Sequence, residues 1–249
     1  MHPLFLSCGL LCDEAIWADV PARLADVADV HVVSFSSFSS LGAMADQVLM
    51  AAPERFALAG HSMGGRVALE VWRRAPQRIT GLGLLNTGVH PTRGAEHDSR
   101  ALLVRLAQTH GMKVLAAEWL PPLMGASAAR VAQVMPSLTA MVERATPAIF
   151  AAQSNALLDR PDARPLLPTI NVPTLLLSGT NDTWSSHTQH ADMQRRVPHA
   201  TLVEIAGAGH MAPIERPDAV ARALRGWLAA VCRPTRPLES GQDRPRSRN

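Results

Sequence analysis

Short apolar runs alternate with longer amphipathic stretches along most of this chain, the pattern of βαβ units built on a parallel sheet. Residues 4–7, 30–34, 56–59, 79–85, 174–178 and 201–205 read as strands. Segments near 15–26, 40–52, 63–75, 187–197 and 217–231 read as helices; in the second, Leu41, Met44, Ala45, Val48 and Leu49 share one face. Pro217 suits the first turn of its helix, where a missing N–H costs little. The stretch 90–168 breaks the alternation. It predicts helices near 99–110, 113–120, 126–135 and 147–158, a weaker one between the last two, and no convincing strand. An insertion of this size between two strands sits over the carboxyl ends of the sheet, where such sheets bind ligands. The predicted organisation is one α/β domain over 1–232, with a helical cap inserted at about 91–168, and a tail over 233–249. The tail is rich in Pro, Arg, Ser and Gly, and is expected to be disordered.

Composition changes this picture little. The chain has 249 residues, 47% hydrophobic and 18% charged, enough to bury a sizeable core. The formal charge of +3 hints at a polyanionic partner, but the stretch from Arg233 to Asn249 carries all of it, leaving residues 1–232 neutral. No nucleic-acid partner is therefore expected. No apolar run is long enough for a transmembrane helix, and the N-terminus lacks the basic start and cleavage site of a signal peptide. An odd set of cysteines, Cys8, Cys12 and Cys232, points to reduced thiols in a cytoplasm. Cys8 and Cys12 have metal-like spacing, yet no second Cys/His pair completes a four-ligand zinc site, so no metal is expected.

The chemistry begins at Gly60-His61-Ser62-Met63-Gly64, a Gly-x-Ser-x-Gly match that follows an apolar strand run and opens a helix. That setting is the one in which the pattern means a nucleophile elbow: a serine on a turn too tight for neighbouring side chains, with its hydroxyl at a helix N-terminus. An ordinary N-cap serine is the plainer reading. A serine hydroxyl needs an oriented base. The run from Leu175 ends in a polar turn at Asp182, and the run from Leu202 ends in a glycine-flanked loop at His210. The order Ser, Asp, His, each after a strand of one sheet, is the order of a hydrolase triad. His187 and His190 could mimic a metal pair, but a solvated helix face is the reading adopted. His61 is assigned to packing. Asn86 ends a strand where an acid could have stood, and its amide cannot serve as one.

These motifs, with Gly179-Thr-Asn-Asp182 and the run from Gly207 through His210 to Pro217, resemble the α/β-hydrolase superfamily, in its small capped esterase and lactonase-like branch. The likeness covers residues 4–231 in element order. It implies a mostly parallel sheet flanked by helices; as a departure from the superfamily, the N-terminal hairpin is expected to be absent, since the sequence starts almost directly at the first strand. It also implies Ser62 as nucleophile, His210 as base and acid, Asp182 as orienting acid, and the Met63 N–H as one oxyanion donor. The second donor comes from the loop after the first strand. Cys8 stands there in place of the customary His, and Leu10 is assigned the role. The implied activity is hydrolysis of a carboxylic ester, lactone or thioester with no cofactor. C–C cleavage of a β-diketone-like compound and a slow or non-catalytic signal receptor are the alternatives. Methionines of the insertion (Met112, Met124, Met135, Met141) adapt to shape and suggest an apolar pocket for a small to medium acyl group. Leu11, Trp119, Met124, Trp184 and Met211 are its expected walls. Arg93, Arg100, Arg105 and Lys113 read as solvated faces, with no basic cluster recommending an anionic substrate. The expected partner is a small ester-like molecule, with no membrane, for a cytoplasmic monomer or homodimer.

Overall fold

The apolar runs form one six-stranded sheet in a computed structural model that describes residues 1–35 and 39–233. The chain enters as β1 (His2–Ser7) and passes through a 3-10 turn (Glu14–Trp17) and α1 (Val20–Leu24) to β2 (Ala28–Val33). Next come α2 (Leu41–Ala51), β3 (Phe56–His61), α3 (Met63–Arg74) and β4 (Ile79–Leu85). The insertion supplies α4 (Gly94–His110), α5 (Met112–Trp119), α6 (Ala128–Glu143) and α7 (Pro147–Leu158). The chain then returns through β5 (Thr174–Gly179), α8 (His187–Gln194), β6 (Thr201–Ile205), α9 (Ala212–Glu215) and α10 (Pro217–Val231).

The strand order is β2-β1-β3-β4-β5-β6 and every pairing is parallel. Helices on both faces of such a sheet bury both sides of its inner strands, so these read as unbroken apolar runs. Every residue of β3 and β5 is buried, while the edge strands β2 and β6 keep exposed positions. After β2 the chain crosses β1 to build β3, so the direction of winding reverses between β1 and β3. A crevice opens at that point beyond the carboxyl ends of the strands. The register sets Ser7 opposite Gly60, so the loop after β1 and the turn after β3 leave the sheet at the same level.

Some elements differ from the sequence expectation. The helix expected at 15–26 is two short turns, because Ala18 adopts φ 44°, and Pro21 starts a new helix. The break expected after Met135 does not occur, and α6 continues through Pro136. Proline removes a backbone donor and crowds the preceding turn. Burial of Val134, Leu138, Met141 and Val142 along the same helix offsets that cost. The segment read as a disordered tail lies, from residue 234 onward, outside the described residues. Among the described residues no helix is long and apolar enough to cross a membrane.

Candidate active site

Strand β3 runs straight into Ser62, which adopts φ 55° and ψ −115°, a left-handed backbone for a residue with a side chain. Its N–H donates to the Leu85 carbonyl at 2.9 Å, prolonging the ladder with β4 by one residue before α3 begins. The turn is too tight for side chains on either flank. A Cβ at Gly60 would lie 2.1 Å from the Gly64 carbonyl oxygen, and one at Gly64 would lie 2.3 Å from that of Ser7. Both contacts are with backbone, which cannot swing aside.

Strands β5 and β6 deliver the partners of Ser62. The Ser62 Oγ and His210 Nε2 are 2.8 Å apart, and His210 Nδ1 lies 3.0 Å from Asp182 Oδ2. An N–H at Nδ1 that donates to the carboxylate leaves Nε2 to accept the serine proton. Asp182 Oδ1 also accepts the N–H groups of Trp184 and Ser185, each at 2.9 Å. Its Oδ2 accepts Asn86 Nδ2 at 2.9 Å. Burial works against ionisation of Asp182, but the bond and charge of His210, then the Ser185 N–H and Asn86, outweigh it and hold the carboxyl well below the usual carboxylate range. Asn86, which had no role in the sequence reading, thus fixes the carboxylate plane and also donates to the Gly209 carbonyl at 3.2 Å.

The histidine loop is braced from two sides. His61 Nε2 donates to the His210 carbonyl at 2.8 Å. Burial, then the neighbouring His210, lowers the His61 pKa to about 3, so its ring is neutral. From the insertion, Leu123 accepts the His210 N–H at 2.8 Å. The buried Glu215 carboxylate accepts N–H groups of Gly125, Ala126 and Gly209 at 2.8, 2.5 and 2.9 Å. The insertion is therefore bonded to the loop that carries His210.

The N–H groups of Met63 and Leu10 donate to no acceptor among the described residues. By contrast the Leu11 N–H is taken by Gln153 of α7 at 2.9 Å, and Gln153 in turn donates to the Phe35 carbonyl at 2.7 Å. The Cys12 thiol donates to the Leu10 carbonyl and the Cys8 thiol to that of Asp13, both at 3.3 Å. Burial, and then the nearby acidic charge, pushes the Cys12 thiol up to about 12. Both cysteines are thus protonated ties that shape the loop.

A cavity of about 500 Å³ opens beside Ser62, within the range of small-molecule sites. Leu10, Met63, Trp119, Trp184 and Met211 line it. Leu11 and Met124 do not: Leu11 is turned by its φ of 57° and held by Gln153, and Met124 belongs to the stretch laid against Gly209. Two other expectations are corrected. Arg100 is not a solvated face; it is half-buried and lines the cavity together with Arg66 and Arg160, forming a basic cluster, while Arg93, which also lines the cavity, is exposed as expected. Arg66 interrupts an apolar helix one turn past Ser62, the one local signal of this cluster. His190 is fully buried rather than solvated. It donates from Nδ1 to the Ser186 carbonyl at 3.0 Å and accepts the Thr87 N–H at 3.5 Å, while Thr87 Oγ1 donates to the Ser62 carbonyl at 2.7 Å.

A family model described as alpha/beta hydrolase family matches residues 4–223. Among curated relatives, a pimeloyl-[acyl-carrier protein] methyl ester esterase of Xanthomonas oryzae is 27% identical over 247 residues, covering 92% of this chain and 95% of that protein. A polyketide synthase, ThaQ, of Burkholderia thailandensis is 31% identical over 189 residues, 71% of this chain but only 9% of that protein's length. The match to esterase YbfF of Escherichia coli spans 24% of that protein. Among solved structures, a thermophilic esterase from Thermogutta terrifontis with malate bound superposes with a TM-score of 0.83 at 28% identity, over 93% of this chain and 90% of that one. The enol-lactonase of Burkholderia xenovorans gives 0.80 at 25% identity, with 92% of each chain covered. With a wholly parallel sheet, a serine on the turn after β3 and a model match across nearly the whole described chain, this chain belongs to the alpha/beta hydrolase family.

Proposed function

We propose that the chain is a serine hydrolase that cleaves a carboxylic ester, lactone or thioester through an acyl-enzyme on Ser62. One observation carries the reading: Ser62, His210 and Asp182 form a continuous hydrogen-bonded line beside a cavity lined by Met63 and Leu10, whose backbone N–H groups are unengaged among the described residues. The esterase and enol-lactonase names of relatives that match over nine tenths of the chain support it. Ser62 Oγ attacks the carbonyl carbon as its proton passes to His210 Nε2, and the imidazolium is stabilised by ionised Asp182. The N–H groups of Met63 and Leu10, at a helix start and a pinned loop, hold the developing oxyanion without reorganising. His210 then gives its proton to the departing alcohol, thiol or alkoxide. Water, deprotonated by His210, adds to the acyl carbon and releases the acid and Ser62.

The helical insertion acts as a cap over Ser62, with Trp119 and Phe150 as apolar walls for a small to medium acyl group. A cytoplasmic monomer or homodimer, acting on a small molecule with neither nucleic acid nor membrane as partner, belongs to the same proposal. The free, buried Cys8 and Cys12 support a reducing compartment. The decisive experiment combines turnover of p-nitrophenyl butyrate with labelling by a serine-directed fluorophosphonate. We expect turnover, a single adduct on Ser62 by peptide mass spectrometry, and loss of both in Ser62→Ala. A folded protein that neither turns over the ester nor takes up the label rejects the reading.

A further inference from the structure

The cavity beside Ser62 carries charge that the ester chemistry does not use. Arg160 is 6% exposed and fully engaged: its Nη2 donates to Glu96 at 2.6 Å, Nη1 to the Leu157 carbonyl at 2.7 Å and Nε to that of His90 at 3.2 Å. Its charge is answered by Glu96. Arg66, on α3 one turn after Ser62, is 7% exposed and makes no ion pair or side-chain hydrogen bond among the described residues. Its Nη1 is buried with no partner, and Nη2 sits beside Gly88, where an added Cβ would approach it to 3.2 Å. Arg100, on α4, has a buried Nε that is equally without a partner and makes no ion pair among the described residues.

Beside the exposed Arg93, three guanidinium groups withdrawn from solvent, those of Arg66, Arg100 and Arg160, thus share one carboxylate in a cavity whose other walls include Leu103, Trp119 and Phe150. Asp162, the other acid whose charge reaches Arg66, is engaged by Arg164 at the surface. Burial first, then the like charge of Arg160, lowers Arg66 to about 9, which still leaves it cationic at neutral pH. Burying an unanswered cation is costly, and arginine interrupting a buried helix face is not what packing alone selects. The geometry supplies what an anion needs and the fold does not provide the anion.

We propose that Arg66 and Arg100 receive a carboxylate carried by the substrate, so that the preferred substrate is an ester bearing a free carboxylate, such as the half-ester of a short dicarboxylic acid. This rests on the ester-hydrolase reading and names its substrate class. A carboxylate presents two coplanar oxygens that match the guanidinium fork. Ser62, Arg66 and Arg100 line the same cavity of about 500 Å³, so one small substrate can present its ester to the serine and its carboxylate to the arginines. Hydrolysis adds water across the ester bond and releases the alcohol and a dicarboxylate.

The test compares kcat/KM of the wild-type protein on monomethyl esters from succinate to suberate with the corresponding dimethyl esters. We expect the half-ester to be preferred at least tenfold at the best chain length, chiefly through KM. Arg66→Gln and Arg100→Gln should each lower that ratio tenfold or more, with Arg66→Lys intermediate. Independently of turnover, glutarate or a longer homologue should raise the melting temperature of Ser62→Ala and compete with ester hydrolysis by the wild type. If dimethyl esters are cleaved as well as half-esters at every length, the arginine assignment is overturned while the ester reading stands. If inorganic phosphate stabilises the protein and no dicarboxylate does, the carboxylate assignment is wrong. Absence of both ester turnover and phosphonate labelling overturns the ester reading and this inference with it. Should Arg66→Gln fail to fold, the wild-type ratio and the dicarboxylate measurements decide.

Discussion

Glutamine in place of Glu215 tests whether the insertion is what holds the histidine loop in position. The Glu215 carboxylate is 1% exposed, with Oε2 accepting Gly125 and Ala126 and Oε1 accepting Gly209. An amide has one accepting oxygen, so whichever way it turns, its NH2 confronts at least one backbone N–H that has no other partner. A hydrogen bond to a charged group contributes about 1.5–3 kcal/mol, and an orphaned buried donor costs about 1–3 kcal/mol. Glu215→Gln should therefore lose about 2–4 kcal/mol, or about 4–16 °C in melting temperature at the ~2–4 °C per kcal/mol of a chain this size. Gly209 precedes His210, and a loop displaced by about 1 Å can cost about a hundredfold in rate. We expect kcat on p-nitrophenyl butyrate to fall at least about tenfold, with a smaller change in KM. Scanning calorimetry and steady-state kinetics on the same preparation measure both. A variant that melts within about 2 °C of wild type, with unchanged kcat, refutes the claim that this carboxylate couples insertion and loop.

Asp182→Asn should leave the fold intact and lower kcat by about 10⁴, since an amide neither stabilises the imidazolium nor sets its tautomer; a loss below about tenfold would contradict the assignment. Asn86→Ala removes the Nδ2 donor to Asp182, and kcat should fall about tenfold, corresponding to about 1.4 kcal/mol; unchanged kinetics would make Asn86 a spectator. His61 has its pKa lowered from 6.5 to about 3, so the unfolded chain binds a proton that the folded one does not across that window, and stability falls as pH drops below about 6.5. Between pH 7.5 and 5 this residue alone should cost about 2 kcal/mol. Urea midpoints should show that extra slope in wild type and lack it in His61→Gln, which keeps a donor for the His210 carbonyl; coincident slopes would disprove it.

The elements best read from sequence are those with a local signature. The runs that became β3 and β5 are apolar throughout because both faces of an inner parallel strand are covered. The glycines around Ser62 mark a turn whose backbone contacts exclude a Cβ. The sequence predicts a break before Pro136 and the structure shows none, because proline's local cost is visible in sequence, whereas the burial that offsets it is not. Arg100 and His190 differ from the sequence expectation for a related reason. Periodicity places a residue on a face of its own helix, but only packing determines whether another segment covers that face. Leu11 illustrates the same point: its backbone N–H is claimed by Gln153, far along the chain.

The sequence by itself determined the parallel α/β framework, the turn at Ser62 and the order in which a serine, an aspartate and a histidine follow their strands. These features depend on neighbours in the chain: an apolar run, then glycines, then a polar residue. The tertiary structure decided what surrounds them. Asn86 reaches Asp182, Glu215 binds the insertion to the histidine loop, and Arg66, Arg100 and Arg160 meet with Glu96 in one cavity. Each of these polar residues comes alone from a separate segment, so no pattern along the chain records their convergence. The balance of Arg66, Arg100 and Arg160 against Glu96 exists only once the segments that carry Arg100, Arg160 and Glu96 line the same cavity as α3.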